Sequence, residues 1–282
     1  MASKKITHIF YSILPQRLKL IVDKRSFNKN EQNFLKYNDI AMLKQKPRYS
    51  KGTVNFKHHQ LQYIDSASLL FIYDEIFRKE IYKFKCDHSN PLIIDAGANI
   101  GLAIIYFKQL FRNSNIIAFE PDENVFQVLQ KNMDSFGFKD VSLIKKGLWS
   151  EETELTFNAE GADAGRILTS QIDAQVTKIQ TIKLSNYLKN NKVDLLKIDI
   201  EGAEFEVLKE AEVYLKNVQN MFVEYHSFVG KEQYLAELLQ ILKGAGFKVN
   251  INTPGLVSQN PFMQINQYNG MDMQLNIYAI RA

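Results

Sequence analysis

The run Ile93-Ile94-Asp95-Ala96-Gly97-Ala98-Asn99-Ile100-Gly101 constrains this 282-residue chain more than any other stretch. An apolar strand pattern passes through a glycine turn into helical spacing over Leu102 to Phe111, which is how a doubly wound α/β sheet builds its first nucleotide-sized pocket. Gly97 can take backbone angles closed to other residues, and Gly101 lets the helix approach whatever lies above the strand. A second apolar strand, Ile116-Ile117-Ala118-Phe119, ends in Glu120-Pro121, with Glu120 25 positions after Asp95. An acid at that strand end suits the paired hydroxyls of a ribose. The loop departs from the G-x-G-x-x-G frame, because Asn99 and Leu102 stand where glycines would be needed. That argues against a pyrophosphate and for a nucleoside-type ligand. The reading without a ligand is a tight strand-to-helix turn.

Strand patterns occupy 92–95, 115–119, 141–145, 194–199, 219–224, 247–251 and 274–280, with helical spacing in the first gaps and over Glu232 to Lys243. Such alternation predicts a mainly parallel, Rossmann-like α/β sheet with helices on both faces, spanning residues 90–282. Leu69 to Phe84 returns to helical spacing and predicts a lead-in helix within 61–89, whereas 23–50 is polar and reads as a loop-rich connection. Residues 150–183 break the rhythm. Leu155 to Phe157 and Lys178 to Ile182 read as short strands of an insertion lying over the strand ends, where substrates bind.

Charge divides the chain unevenly. Residues 1–60 carry 13 Lys and Arg against 3 Asp and Glu, leaving 22 against 28 for the remainder. The first 60 residues therefore read as a basic, partly helical N-terminal extension beside an acidic body. Within it Ile6, Ile9, Phe10, Ile13, Leu14, Leu18 and Ile21 fall at helical spacing among cations, interrupted at Pro15. Two uses fit a basic amphipathic helix, docking on the main domain or peripheral contact with an anionic membrane surface or acidic partner. Nucleic acid is set aside, since cations and aromatics do not interleave and no recognition-helix or zinc-finger pattern occurs. No run of 18 apolar residues is present, so no membrane span is expected. Ile6 to Leu14 lacks a small-residue cleavage site and does not read as a signal peptide. The single cysteine, Cys86, excludes an intrachain disulfide and any multi-cysteine zinc site, and a reducing cytoplasmic setting is the expectation.

The second chemical segment is Leu195-Leu196-Lys197-Ile198-Asp199-Ile200-Glu201-Gly202-Ala203-Glu204. A buried strand ends at Asp199, and Asp199 and Glu201 are costly to desolvate unless they bind a cation, a hydroxyl proton or a sulfonium. Glu204 reads as a helix-start acid serving the dipole. Downstream, Met221-Phe222-Val223-Glu224-Tyr225-His226 ends the next strand. Doubly wound order would set that end beside Asp199, and a histidine there is the candidate general base. His58 and His59 read as surface residues.

D-x-G-A-N-x-G over 95–101 followed by Glu120 resembles the motif pair of class I S-adenosylmethionine (SAM)-dependent methyltransferases. With F119-E-P121, K197-I-D-I-E-G-A-E204 and E224-Y-H226 in order, residues 70–280 resemble the FkbM methyltransferase family. Glu75-Ile76-Phe77 with Tyr82 also looks like that family's lead-in helix. The resemblance implies O-methylation with SAM of a hydroxyl, often on a sugar or polyketide. It implies cofactor contacts at Asp95, Gly97, Asn99, Gly101, Glu120, Pro121 and Asp199, with Leu148 and Trp149 after the third strand lining the adenine. Catalysis then falls to Asp199, Glu201 and His226, with a divalent metal left open. Two other readings remain, a metal-dependent glycosyltransferase using Asp199-x-Glu201 and a non-catalytic scaffold acting through its basic arm. A short-chain dehydrogenase is excluded because none of the 13 tyrosines has a lysine four positions on, and no G-x-x-x-x-G-K-[ST] loop occurs.

Overall fold

A computed structural model describes residues 34–158, 166–167, 176–255 and 257–281, within which elements are numbered. The amphipathic pattern from Ile6 to Ile21 lies outside the described residues.

The first described residues already build core. Helix α1 (Tyr37–Leu43) precedes an antiparallel hairpin, β1 (Gly52–Phe56) and β2 (His59–Tyr63). Leu35, Leu43, Val54, Phe56 and Leu61 are buried with the residues of the main sheet. The residue 60 boundary expected from charge therefore cuts through a packed hairpin. His59 stacks on Phe136 at 4.2 Å, so only its neighbour His58 is a plain surface histidine.

Asp65 caps α2 (Ser66–Tyr73), accepting from Ser68 N at 3.4 Å and Ser68 Oγ at 2.9 Å, which fixes where the lead-in helix starts. It ends earlier than the periodicity predicts. A π-helical turn, Asp74–Arg78, follows, and Glu80 then takes φ 54°, a left-handed conformation that ends helical continuation. Tyr82 instead turns in and packs edge-on against Phe222, with centroids 4.8 Å apart.

The central elements follow the expected order: β3 (Leu92–Ala96), α3 (Leu102–Leu110), β4 (Asn115–Phe119), α4 (Glu123–Phe136) and β5 (Val141–Ile144). Strand β6 (Gly147–Leu148), β7 (Glu154–Asn158), β8 (Arg166–Ile167) and β9 (Val176–Ile182) form a separate four-stranded sheet, which is the insertion. After α5 (Ser185–Leu188) come β10 (Val193–Ile198), α6 (Glu204–Ala211), β11 (Val218–Phe228), α7 (Leu235–Gly244), β12 (Lys248–Asn252) and β13 (Met271–Ile280).

Strands that are apolar on both sides must be covered on both sides. Ile93, Leu195 and Phe222 face a cluster with α3 and α4, while Ile94, Leu196 and Val223 face α5, α6 and α7. The seven-stranded sheet runs β12-β13-β11-β10-β3-β4-β5, parallel from β11 to β5, with β13 antiparallel to both neighbours. It is a Rossmann-like mixed sheet. From β3 the chain winds outward through β4 and β5, then returns through β10 to β11 on the other side. The switch point between β3 and β10 is where such sheets bind ligands. Among the described residues no helix is long and apolar enough to cross a membrane.

Candidate active site at the switch point

Two loops interlock over the β3 and β10 ends. Gly97 takes φ 82°, and a Cβ there would overlap the carbonyl oxygen of Asp199. Asp199 N donates to Ala96 O at 3.1 Å, so the second loop is strapped to the first. Gly97 N and Ala98 N donate to Phe119 O at 3.1 and 2.8 Å, which draws the loop across the end of β4. There Glu120 accepts from Asn99 N at 2.9 Å and Asp122 N at 3.0 Å, one bond to each carboxylate oxygen. Burial raises the Glu120 carboxyl to about 7 even against those two donors. Asn99 sits at φ 50°, backbone strain of the kind concentrated at ligand sites.

Beneath the loops lies Lys197, 3% exposed among the apolar Leu195, Leu196 and Ile198. Its Nζ is 3.1 Å from Asp95 Oδ1 and 3.4 Å from Asp199 Oδ2, and donates to Gly97 O at 2.6 Å. Burial disfavours the ammonium, but Asp95 and Asp199 outweigh it and hold the lysine pKa above its ordinary value. Asp95 is fully buried. Its carboxylate serves the lysine under the loop, which corrects its expected place among the cofactor contacts.

The acids form a second layer. Glu201 has φ 53° and Gly202 φ 100°, a turn that aims Glu201 at the cavity. Glu204 is 1% exposed and accepts from Gly202 N at 2.9 Å, Ile200 N at 3.3 Å and His226 Nδ1 at 3.0 Å. It is therefore the brace of the turn as well as a helix-start acid, a role invisible in the sequence. His226 shares one face of β11 with Glu224, and its Nε2 lies 3.8 Å from both Glu201 and Glu224. Burial opposes its charge, but Glu201, Glu204 and Glu224 outweigh burial and hold its pKa well above the ordinary imidazole value. The ring is 1% exposed and lies behind Glu201 and Glu224 rather than on the cavity wall, so the general-base role expected of His226 is corrected. Burial likewise raises Glu201 and Glu224.

A 680 Å³ cavity joins these layers. Of the sequence-predicted residues, Gly97, Asn99, Glu120, Pro121, Leu148, Asp199 and Glu201 line it. Gly101 does not; at φ 94° it faces α4, where a Cβ would come within 2.5 Å of Met133 and 2.8 Å of Leu129. Trp149 does not line it either, packing partly buried against the second core, while Leu148 lines the cavity. Lys197, Glu224, Tyr82, Glu75, Gln274 and Asn276 line the cavity without having been assigned to it from sequence. A lysine amid Leu195, Leu196 and Ile198 is a signal that could have been used. Gln274 and Asn276 carry none, because polar residues on an edge-side strand are ordinary.

Comparison with known proteins agrees with this geometry. The family model described as the methyltransferase FkbM domain matches residues 95–249. Methyltransferase sdnD of Sordaria araneosa is 30% identical over 214 residues, covering 63% of this chain and 82% of that protein. Methyltransferase 1 of Beauveria bassiana is 27% identical over 209 residues, covering 65% and 83%. The hexuronic acid methyltransferase AglP of Haloferax volcanii is 29% identical over 143 residues, covering 50% and 58%. The match across both interlocked loops, and the identity to sdnD over most of that protein's length, show that this chain belongs to the FkbM methyltransferase family and is a methyltransferase.

Proposed function

We propose that the enzyme transfers a methyl group from SAM to a hydroxyl of a sugar or glycan. One observation carries the reading: a single cavity runs from the Gly97 to Asn99 loop and Glu120 to Asp199, Glu201 and Glu224. The first half fits SAM. Glu120 uses one lone pair of each oxygen on backbone N–H groups and keeps the others for ribose hydroxyls. Pro121, Leu148 and Ile179 give an apolar wall for a flat base. When bound, SAM supplies a methyl carbon activated by a sulfonium, whose C–S pair returns to sulfur as the acceptor oxygen bonds the carbon.

The chain's own part is to orient the oxygen and remove its proton. The carboxylates of Asp199, Glu201 and Glu224 border the cavity, so the approaching hydroxyl meets acceptors on the side away from the nucleoside cradle. Glu201 takes the proton in this account, with His226 holding that carboxylate in place from behind. Holding the two reactants in line can supply much of the acceleration. The acceptor half is also bordered by Gln267, Tyr268, Asn269 and Gln274, amides and a phenol suited to several hydroxyls at once. AglP, a relative named as a hexuronic acid methyltransferase, supports the same class.

The test is incubation with methyl-labelled SAM and a panel of uronic acids, neutral sugars, catechols and small carboxylic acids. Label on a sugar oxygen, reduced at least a hundredfold by Glu201→Gln, is the expected result. Label confined to carboxylic acids or phenols would overturn the acceptor class.

A further inference from the structure

We propose that Asp199, Glu224 and His226 form a binding site for a divalent cation of the manganese type at the acceptor end of the cavity. One oxygen of each carboxylate and one nitrogen of the imidazole lie within 4.8 Å of one another. Around a cation with bonds of about 2.1 to 2.2 Å, adjacent ligand atoms sit about 3 Å apart and opposite ones about 4.3 Å. The three come from neighbouring parallel strands, since Ile198 pairs with Val223 in register and the ligands follow those positions.

The support behind the three is what a metal-binding histidine needs. Glu204, itself buried and held by two backbone N–H groups, accepts from His226 Nδ1 at 3.0 Å. That bond fixes the ring and sends Nε2 toward the carboxylates, the carboxylate-histidine arrangement that orients metal ligands. The ring is 1% exposed, and among the described residues Nε2 lies 3.8 Å from a carboxylate oxygen of both Glu201 and Glu224. Gln274 donates to one oxygen of Glu224 and Lys197 sits against one of Asp199, which steadies both carboxylates while using one oxygen of each.

Asn276 is an independent sign that a ligand belongs here. It is 3% exposed and borders the cavity, its side chain bonds Tyr278, and among the described residues its Oδ1 has no hydrogen-bond partner. It stands opposite Glu224 in the β11 to β13 register, where Cβ atoms are about 5 Å apart. A buried amide oxygen without a protein donor costs free energy unless a water or a cation meets it. Two carboxylates and one imidazole with an amide oxygen nearby favour manganese over calcium, which prefers oxygen alone, and over zinc, which prefers nitrogen and sulfur. Serving as a clamp on the acceptor oxygen is a role that rests on the hydroxyl-methylation reading; the site itself does not.

The competing account is an imidazolium that only neutralises Glu201, Glu204 and Glu224. Calorimetry decides between them, using the full chain stripped with a chelator and titrated with manganese chloride, without SAM or acceptor. Saturable one-to-one binding is expected, weakened tenfold or more by Glu224→Gln and by His226→Gln, and roughly ten- to a hundredfold by Glu204→Gln. Glu123→Gln, on the surface beside Lys145, should bind as the unaltered chain does. No saturation up to about 1 mM, the weak end for biological divalent sites, overturns the proposal. So does binding unchanged in Glu224→Gln, a near-isosteric variant that decides the matter even if His226→Gln fails to fold. Binding of SAM is measured separately, so loss of one reading leaves the other standing.

Discussion

Lys197 shows how one side chain can hold two loops. Lys197→Met keeps the length and the apolar stem but leaves Asp95 buried, and the part-buried Asp199 beside it, without their cation. Removing one partner of a buried pair costs about 3 to 5 kcal/mol, and a loss of unfolding free energy of that size is expected in denaturant titration; a change under about 1 kcal/mol would mean that the acids are neutral in the fold. Glu120 makes a different kind of statement. Its carboxyl is raised to about 7, largely by burial, from an ordinary 4.5. Between those values the unfolded chain has given up the proton and the folded chain keeps it, so this group's contribution to stability falls as pH rises through that window. SAM affinity should move the other way, growing from pH 6 to 8 as the carboxylate that meets the ribose becomes ionised. Glu120→Gln should flatten that profile in calorimetry, and an equally steep profile in the variant would assign the effect elsewhere.

At the scale of elements, α3 is anchored by what Gly101 lacks. Gly101→Ala would place a Cβ against Met133 and Leu129 of α4 in a left-handed conformation. The expected cost is about 1 to 3 kcal/mol, read as a lower urea midpoint with SAM contacts otherwise intact; unchanged stability would show that α3 and α4 can slide apart freely. This glycine also marks where sequence reading stops. The run from Ile93 to Gly101 and the end of β4 were legible because strand, turn and helix patterns are local, and the same holds for Asp199 and Glu201 after β10. The partner of Gly101 is 32 positions away at Met133, and no local pattern announces it. His226 was legible as a strand-end histidine, but its enclosure by Glu201, Glu204 and Glu224 exists only once α6 and β11 are packed. The lead-in helix was overextended because the apolar spacing continues to Ile81, while the backbone turns left-handed at Glu80 and sends Tyr82 onto Phe222.

For the whole molecule, the charge boundary and the packing boundary differ. The basic character runs to residue 60, yet Leu35, Leu43, Val54 and Phe56 belong to the core that faces α3 and α4. Truncation before Phe34 is expected to leave SAM binding intact and to remove any flotation with anionic vesicles, whereas truncation at residue 60 should unfold the chain by exposing that core. Equal flotation of the full and shorter chains would remove the membrane reading and leave helix docking. The central claim is that the cavity over β3, β4 and β10 is a SAM site whose ribose is held by Glu120. Its most direct test is calorimetry of SAM against the unaltered chain and Glu120→Ala at pH 8. One-site binding weakened by about 1.5 to 3 kcal/mol in the variant, the loss of a charge-assisted hydrogen-bonded pair, is the result predicted here; no binding by the unaltered chain, or equal affinity in the two, would contradict it.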